Sequence, residues 1–148
     1  MIRVQRVENH RKRYLDLLLL ADEQESMIDR YLKRGIMYVL EDEETVAVCV
    51  VTEEGEGVLE LKNIAVKPNH QRKGYGKAFL EFLGCEYQGK YRVLQVGTGD
   101  CPSALKFYQE CGFSYSHRKK DFFTQHYDHP MFEDGEQLVD MIYLQRSL

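Results

Sequence analysis

The sequence predicts an α/β fold of the α+β type, with a mostly antiparallel central sheet of about seven strands and four flanking helices. Three observations point there. Residues 37–40, 45–52 and 58–66 are consecutive runs rich in apolar and β-branched side chains, separated by short polar turns, the pattern of an antiparallel meander. The third run leads through a glycine loop into an amphipathic helix and then a further strand at 92–96. With 148 residues, 43% of them apolar, the chain suits one domain, 1–148, around one sizeable core.

Residues 2–6 alternate apolar and polar and read as the first strand. Tyr14, Leu15, Leu18 and Leu19 then recur at helical spacing, as do Met27, Ile28, Tyr31 and Leu32, and Gly35 follows where a left-handed helix cap is expected. The acidic stretch 41–44 is too polar to bury and makes the turn of a hairpin, while Gly55 and Gly57 make the next. In the third strand of the meander the apolar period slips. Leu59 and Leu61 share one alternation, Ile64 and Val66 the other. One extra residue at Lys62 or Asn63, a β-bulge, would restore the face; a strand buried on both faces is the alternative reading.

Beyond a polar loop at 68–73, residues 75–85 form a helix with Ala78, Phe79, Phe82 and Leu83 inward. Pro102 suits the first turn of a fourth helix, which Gly112 closes. Residues 113–116 and 139–144 are the last two strands, separated by a polar and aromatic insert, 119–137.

Composition removes several function classes. The formal charge of −4 and a sequence pI of 5.7 come from interspersed acids and bases, with no basic block to bind nucleic acid. Apolar runs such as Leu17 to Ala21 fall far short of the ~20 residues a membrane span needs, and no signal pattern opens the chain, so a cytoplasmic location is expected. Cys49, Cys85, Cys101 and Cys111 are widely spaced free thiols without metal-site spacing, and neither Cys101 nor Cys111 has a nearby His to activate it as a nucleophile.

The segment Gln71, Arg72, Lys73, Gly74, Tyr75, Gly76, Lys77 opens a helix after a strand, where unpaired backbone N–H groups, the helix dipole and nearby cations suit phosphate oxygens. A structural turn is the plainer alternative. Lys77 is followed by Ala78 rather than Ser or Thr, so this is no P-loop, and no third glycine falls near Phe79 to complete a dinucleotide fingerprint.

QRKGYG at 71–76 resembles the Q/R-x-x-G-x-G/A signature of the GNAT family of N-acetyltransferases. LELKNIAVKP at 59–68 resembles the family's central strand, and ALKFYQECGF at 104–113 its downstream helix and turn. The ending, with Phe122, Phe123, Tyr127, Pro130, Glu133, Gly135, Asp140 and Met141, is similar to that of a bacterial subgroup with a long aromatic and acidic loop before the last strand.

The resemblance implies a mixed sheet splayed between its fourth and fifth strands, 58–66 and 92–96, with the pantetheine arm of acetyl-CoA in the gap and the bulge at its mouth. It also implies a direct acetyl transfer to a primary amine of a small molecule or peptide, with no metal; a non-catalytic CoA-binding regulatory module is the rival reading. Ile64, Ala65 and Val66 would face pantetheine, a backbone N–H near Ile64 would meet the oxyanion, and residues 71 to 77 would take the pyrophosphate. Arg72 or Lys73 would reach the adenosine phosphate, with Thr98 and Ser103 as further coenzyme contacts. Tyr108 occupies the position of the family's proton donor to the leaving thiolate; a core aromatic is its other reading. Glu60 matches a strand glutamate acting as base, directly or through water, and is equally readable as a solvated carboxylate. The family often has Asn where this chain has Cys101. Acids of the insert would favour a cationic acceptor, and frequent dimerisation in the family leaves a homodimer open.

Overall fold

The computed structural model describes all residues, Met1–Leu148. In chain order the elements are β1 (Arg3–Val7), α1 (Leu15–Ala21) entered through a 3-10 turn at Arg11–Tyr14, α2 (Glu25–Leu32), β2 (Ile36–Asp42), β3 (Glu44–Gly55) and β4 (Val58–Val66). A 3-10 turn at Pro68–His70 leads to α3 (Tyr75–Glu86), followed by β5 (Val93–Gly99), α4 (Pro102–Glu110), β6 (Ser114–Lys119), α5 (Phe122–His126), the short strands β7 (Phe132–Glu133) and β8 (Glu136–Gln137), and β9 (Met141–Ser147). Seven strands form one sheet in the order β1-β2-β3-β4-β5-β9-β6, and β7 with β8 makes a separate ribbon. Only β4 and β5 run parallel; every other pair is antiparallel. No helix is long and apolar enough to cross a membrane.

The sheet is central because β3 is apolar on both faces. Ala47, Cys49 and Val51 pack with Phe79, Leu80, Leu83 and Leu94 on the α3 and α4 side, while the alternating Val48 and Val50 pack with Leu18 and Ile28 of α1 and α2. The period slip in β4 is a bulge. Val50 faces Asn63 and Val51 faces Leu61, so Lys62 has no partner on β3. Leu59, Leu61, Ile64 and Val66 thereby share the α3 side, whereas Ala65 packs with α1 and α2. The other face of β4 is buried as well, with Glu60 and Asn63 largely inaccessible, so the alternative reading contained part of the answer.

Two details differ from expectation. Gly35 lies outside the left-handed region; it is needed for space, since a Cβ there would sit 2.7 Å from Val50 Cγ1 and 2.9 Å from the Tyr31 carbonyl oxygen. The insert carries a fifth helix, α5, and the β7–β8 ribbon. Both are too short to produce a periodic signal, and they hold together because Phe123, Met131 and Leu138 bury one another in a small core of their own.

Candidate functional site

The β4–β5 ladder is only four pairs long, ending at Leu61 with Val96. Past it, β5 continues to Gly99 paired to β9 alone, while Asn63 to Val66 pair to β3 alone. The bulge turns β4 away at that point, leaving a gap in the middle of the sheet. The gap opens a cavity of about 750 Å³.

At one end of the cavity α3 begins. Gly74 caps it in the left-handed region at φ 87°, and Arg72 is also left-handed at φ 63°. The first intrahelical bond is Ala78 N–H to the Gly74 carbonyl, 3.0 Å, so the amides of Tyr75, Gly76 and Lys77 are left without helical partners. Alternating handedness with free amides makes an anion-binding concavity. The loop is anchored at both sides: Gln71 Nε2 donates to the Val66 carbonyl at 3.1 Å, and the Tyr75 hydroxyl donates to Asp42 Oδ2 at 2.6 Å. Glycine at 76 lets α3 approach α4, because a Cβ there would meet Phe107 Cζ at 3.1 Å.

Of the residues singled out in the sequence, Ile64, Ala65, Val66, Gln71, Arg72, Gly74, Tyr75, Gly76, Lys77, Thr98, Ser103 and Tyr108 all line this one cavity. Glu60 and Lys73 do not. Glu60 sits on β4 just before the gap, its carboxylate occupied by Gln95 Nε2 at 2.7 Å and Lys62 Nζ at 2.7 Å. Lys73 is exposed on the outside of the loop.

Tyr108 is held edge-on between Phe107 and Phe113, with ring centroids 5.1 and 5.6 Å away. The ring is buried, and no side-chain hydrogen bond holds its hydroxyl. Burial pushes its pKa above the usual phenol range, reinforced by the neighbouring Cys111 and Glu133, so the phenol stays protonated at neutral pH. Cys101 and Ser103 bind the insert: Asp134 Oδ2 accepts from Cys101 Sγ at 3.1 Å and from Ser103 Oγ at 2.9 Å. The two hydrogen bonds, Cys101 first, hold the Asp134 carboxyl below its ordinary range.

At the opposite end lies a polar cluster that sequence reasoning missed. Asp22 Oδ1 accepts from the Tyr127 hydroxyl at 2.7 Å and Oδ2 from the Tyr31 hydroxyl at 3.2 Å. Asn63 Nδ2 donates to Tyr31 Oη and to the Leu18 carbonyl, both at 3.0 Å. Burial raises the Asp22 pKa, against the lowering effect of the two tyrosines. These residues come from α1 and the residue that caps it, α2, β4 and the insert. The sequence marked Tyr31 only as part of a helix face, Tyr127 only as part of the C-terminal motif and Asn63 only as a polar residue inside the slipped period, and nothing marked Asp22.

Comparison with known proteins agrees with this geometry. The family model described as an acetyltransferase (GNAT) domain matches residues 33–115. An uncharacterised N-acetyltransferase of Bacillus subtilis, YvbK, is 35% identical over 99% of this chain and 97% of its own. A GNAT family acetyltransferase from Elizabethkingia anophelis, solved with acetyl-CoA bound, superposes with a TM-score of 0.94 at 33% identity, covering 99% of this chain and 98% of that one. A Bacillus subtilis acetyltransferase in complex with CoA gives a TM-score of 0.90 at 35% identity, covering 100% and 99%. A glycine-capped helix start with free amides, a sheet opened by a one-residue bulge and a buried tyrosine at the gap, together with relatives matched over nearly their full length, place the chain in the GNAT family of acetyltransferases.

Proposed function

We propose that this acetyltransferase moves the acetyl group of acetyl-CoA directly to a primary amine of a small molecule or peptide, without a covalent enzyme intermediate. The observation that carries the reading is continuity: the residues that open α3, those of the unpaired stretch of β4 and Tyr108 all line one cavity. The diphosphate of the co-substrate would lie on the amides of residues 75–77, with Arg72 and Lys77 adding charge, and its amide-bearing arm would fill the gap along Ile64 to Val66. Relatives solved with acetyl-CoA and with CoA support that seating.

The amine nitrogen, neutral after giving up a proton to solvent water, attacks the thioester carbonyl. The C–N bond forms and the oxyanion is met by a main-chain amide freed from the ladder near Ile64. The C–S bond then breaks and the departing thiolate takes a proton from Tyr108, whose phenol is kept protonated by burial, while the proton that the nitrogen sheds as the amide forms passes through water and restores the phenol. Cys101 is engaged with Asp134 and Ser103, an arrangement that supports direct transfer over a cysteine-bound intermediate. Glu60 has less support as the base, since Lys62 already pairs with its carboxylate.

The test combines thermal shift with thiol release. Acetyl-CoA is expected to raise Tm saturably, and CoA thiol should appear only when an amine from a panel is present, with the acetylated amine seen by mass spectrometry. Stabilisation without thiol release for any amine would replace this reading with a regulatory coenzyme-binding module.

A further inference from the structure

The cavity contains a buried carboxyl group with no cationic partner. Asp22 and Glu60 are the two buried carboxylates; Glu60 is paired with Lys62, whereas Asp22, 9% exposed, has no cationic partner and lines the cavity. Both Asp22 oxygens accept from tyrosine hydroxyls and the Gln24 backbone N–H adds a third donor, which orients the carboxyl but supplies no cation. Around it stand Glu23 on its own loop, Tyr31 from α2, Tyr127 from the insert and the neutral Asn63 from β4.

A second acceptor beside it is also unmatched. The Asn63 amide is pinned in orientation because the Leu18 carbonyl can only accept, so the nitrogen must face it, and Tyr31 takes the other N–H. Asn63 Oδ1 is then left without a donor in a residue 3% exposed that lines the same cavity. A buried carbonyl oxygen lacking a donor is rare in folded proteins. An uncompensated carboxylate and an unmatched carbonyl joined through one tyrosine hydroxyl call for a compact cation rich in N–H donors. The wall facing them is apolar, made by Phe123, Met131, Leu138 and Met141.

We infer that Asp22 and Asn63 form the ammonium-binding subsite for the acceptor, a primary amine carried on a single apolar stem. The inference rests on the acetyl-transfer reading and adds the substrate class to it. The stem lies against the insert, and the ammonium sits one tyrosine hydroxyl away from the opened ladder at the bulge, beside the gap where the thioester is expected.

Phenethylamine, its neutral isostere phenethyl alcohol and the diamine putrescine are the probes. With wild-type protein, phenethylamine should be acetylated with a kcat/KM at least about tenfold above that of putrescine, and phenethyl alcohol should inhibit at least about tenfold more weakly than phenethylamine binds. Asp22→Asn should raise the phenethylamine KM by about tenfold to a hundredfold while the thermal shift given by acetyl-CoA is kept. Tyr127→Phe, which retains the charge, should change that KM by less than about threefold. A wild-type protein that acetylates no amine overturns the proposed function. One that acetylates amines, yet whose Asp22→Asn variant keeps its amine KM, or which takes the neutral isostere as well as the amine, overturns the Asp22 subsite alone. Preference for putrescine overturns the apolar stem. The isostere comparison uses only wild-type protein and decides the matter even if Asp22→Asn does not fold.

Discussion

Replacing Tyr108 by phenylalanine separates its two readings, because the ring and the hydroxyl do different work here. The ring is buried and packs edge-on against Phe107 and Phe113, contacts that phenylalanine reproduces. No side-chain hydrogen bond to the hydroxyl is lost, so Tyr108→Phe should cost less than about 1 kcal/mol and shift Tm by no more than about 3 °C. If the phenol protonates the departing thiolate, kcat should fall about a hundredfold, with the acetyl-CoA dissociation constant changed less than about threefold. The sign of the pH response follows from its raised pKa: the donor stays protonated as pH rises through the ordinary phenol range near 10, so its deprotonation should not limit wild-type kcat below about pH 10. Thiol release, calorimetric titration of acetyl-CoA and a melting scan on both proteins suffice. A kcat loss below about fivefold, or one matched by an equal loss of coenzyme affinity, would refute the proton-donor role and leave Tyr108 a core aromatic.

Two further outcomes are expected. Gly35→Ala should lower Tm by about 6 °C, a cost of about 2 kcal/mol for overpacking, because two of the atoms its Cβ would meet within 3.0 Å are backbone oxygens; an unchanged melting curve would show that the α2–β3 contact yields freely. Asp134 has a folded pKa below its unfolded value, so the hold it gives the insert is complete above the ordinary carboxylate range and is lost as pH falls through that lowered value. Asp134→Asn at neutral pH should therefore speed amide exchange in residues 131–138, and unaltered exchange there would show that the Phe123 core alone fastens the insert.

Much of this was legible because it is local. The hairpins, the amphipathic α3 and the proline-to-glycine span of α4 follow from periodicity and breakers, and the slip between Leu61 and Ile64 located the bulge before any pairing was known. The amide nest at the start of α3 was readable because Gly74 must be left-handed for the chain to enter the helix. The Asp22 cluster was not readable as a unit, since Asp22 meets Tyr127 across 105 residues and nothing in either neighbourhood announces the other. Glu60 was placed correctly on its strand, but its partner Lys62 changes what it can do, and that pairing depends on the bulge. Gly35 was given the wrong reason: a glycine required for close approach and one required for a left-handed turn look identical in one sequence.

The shortness of the β4–β5 ladder has a mechanical meaning. Four rungs, Val58 to Leu61 against Val93 to Val96, are the direct seam between one half-sheet, β1 to β4, and the other, β5, β9 and β6. A ligand threaded along Ile64 to Val66 would act as a surrogate strand, extending the seam with hydrogen bonds the polypeptide itself does not make. The empty protein should then start to unzip at this joint, and the cell's supply of coenzyme would set how firmly the two halves are riveted together.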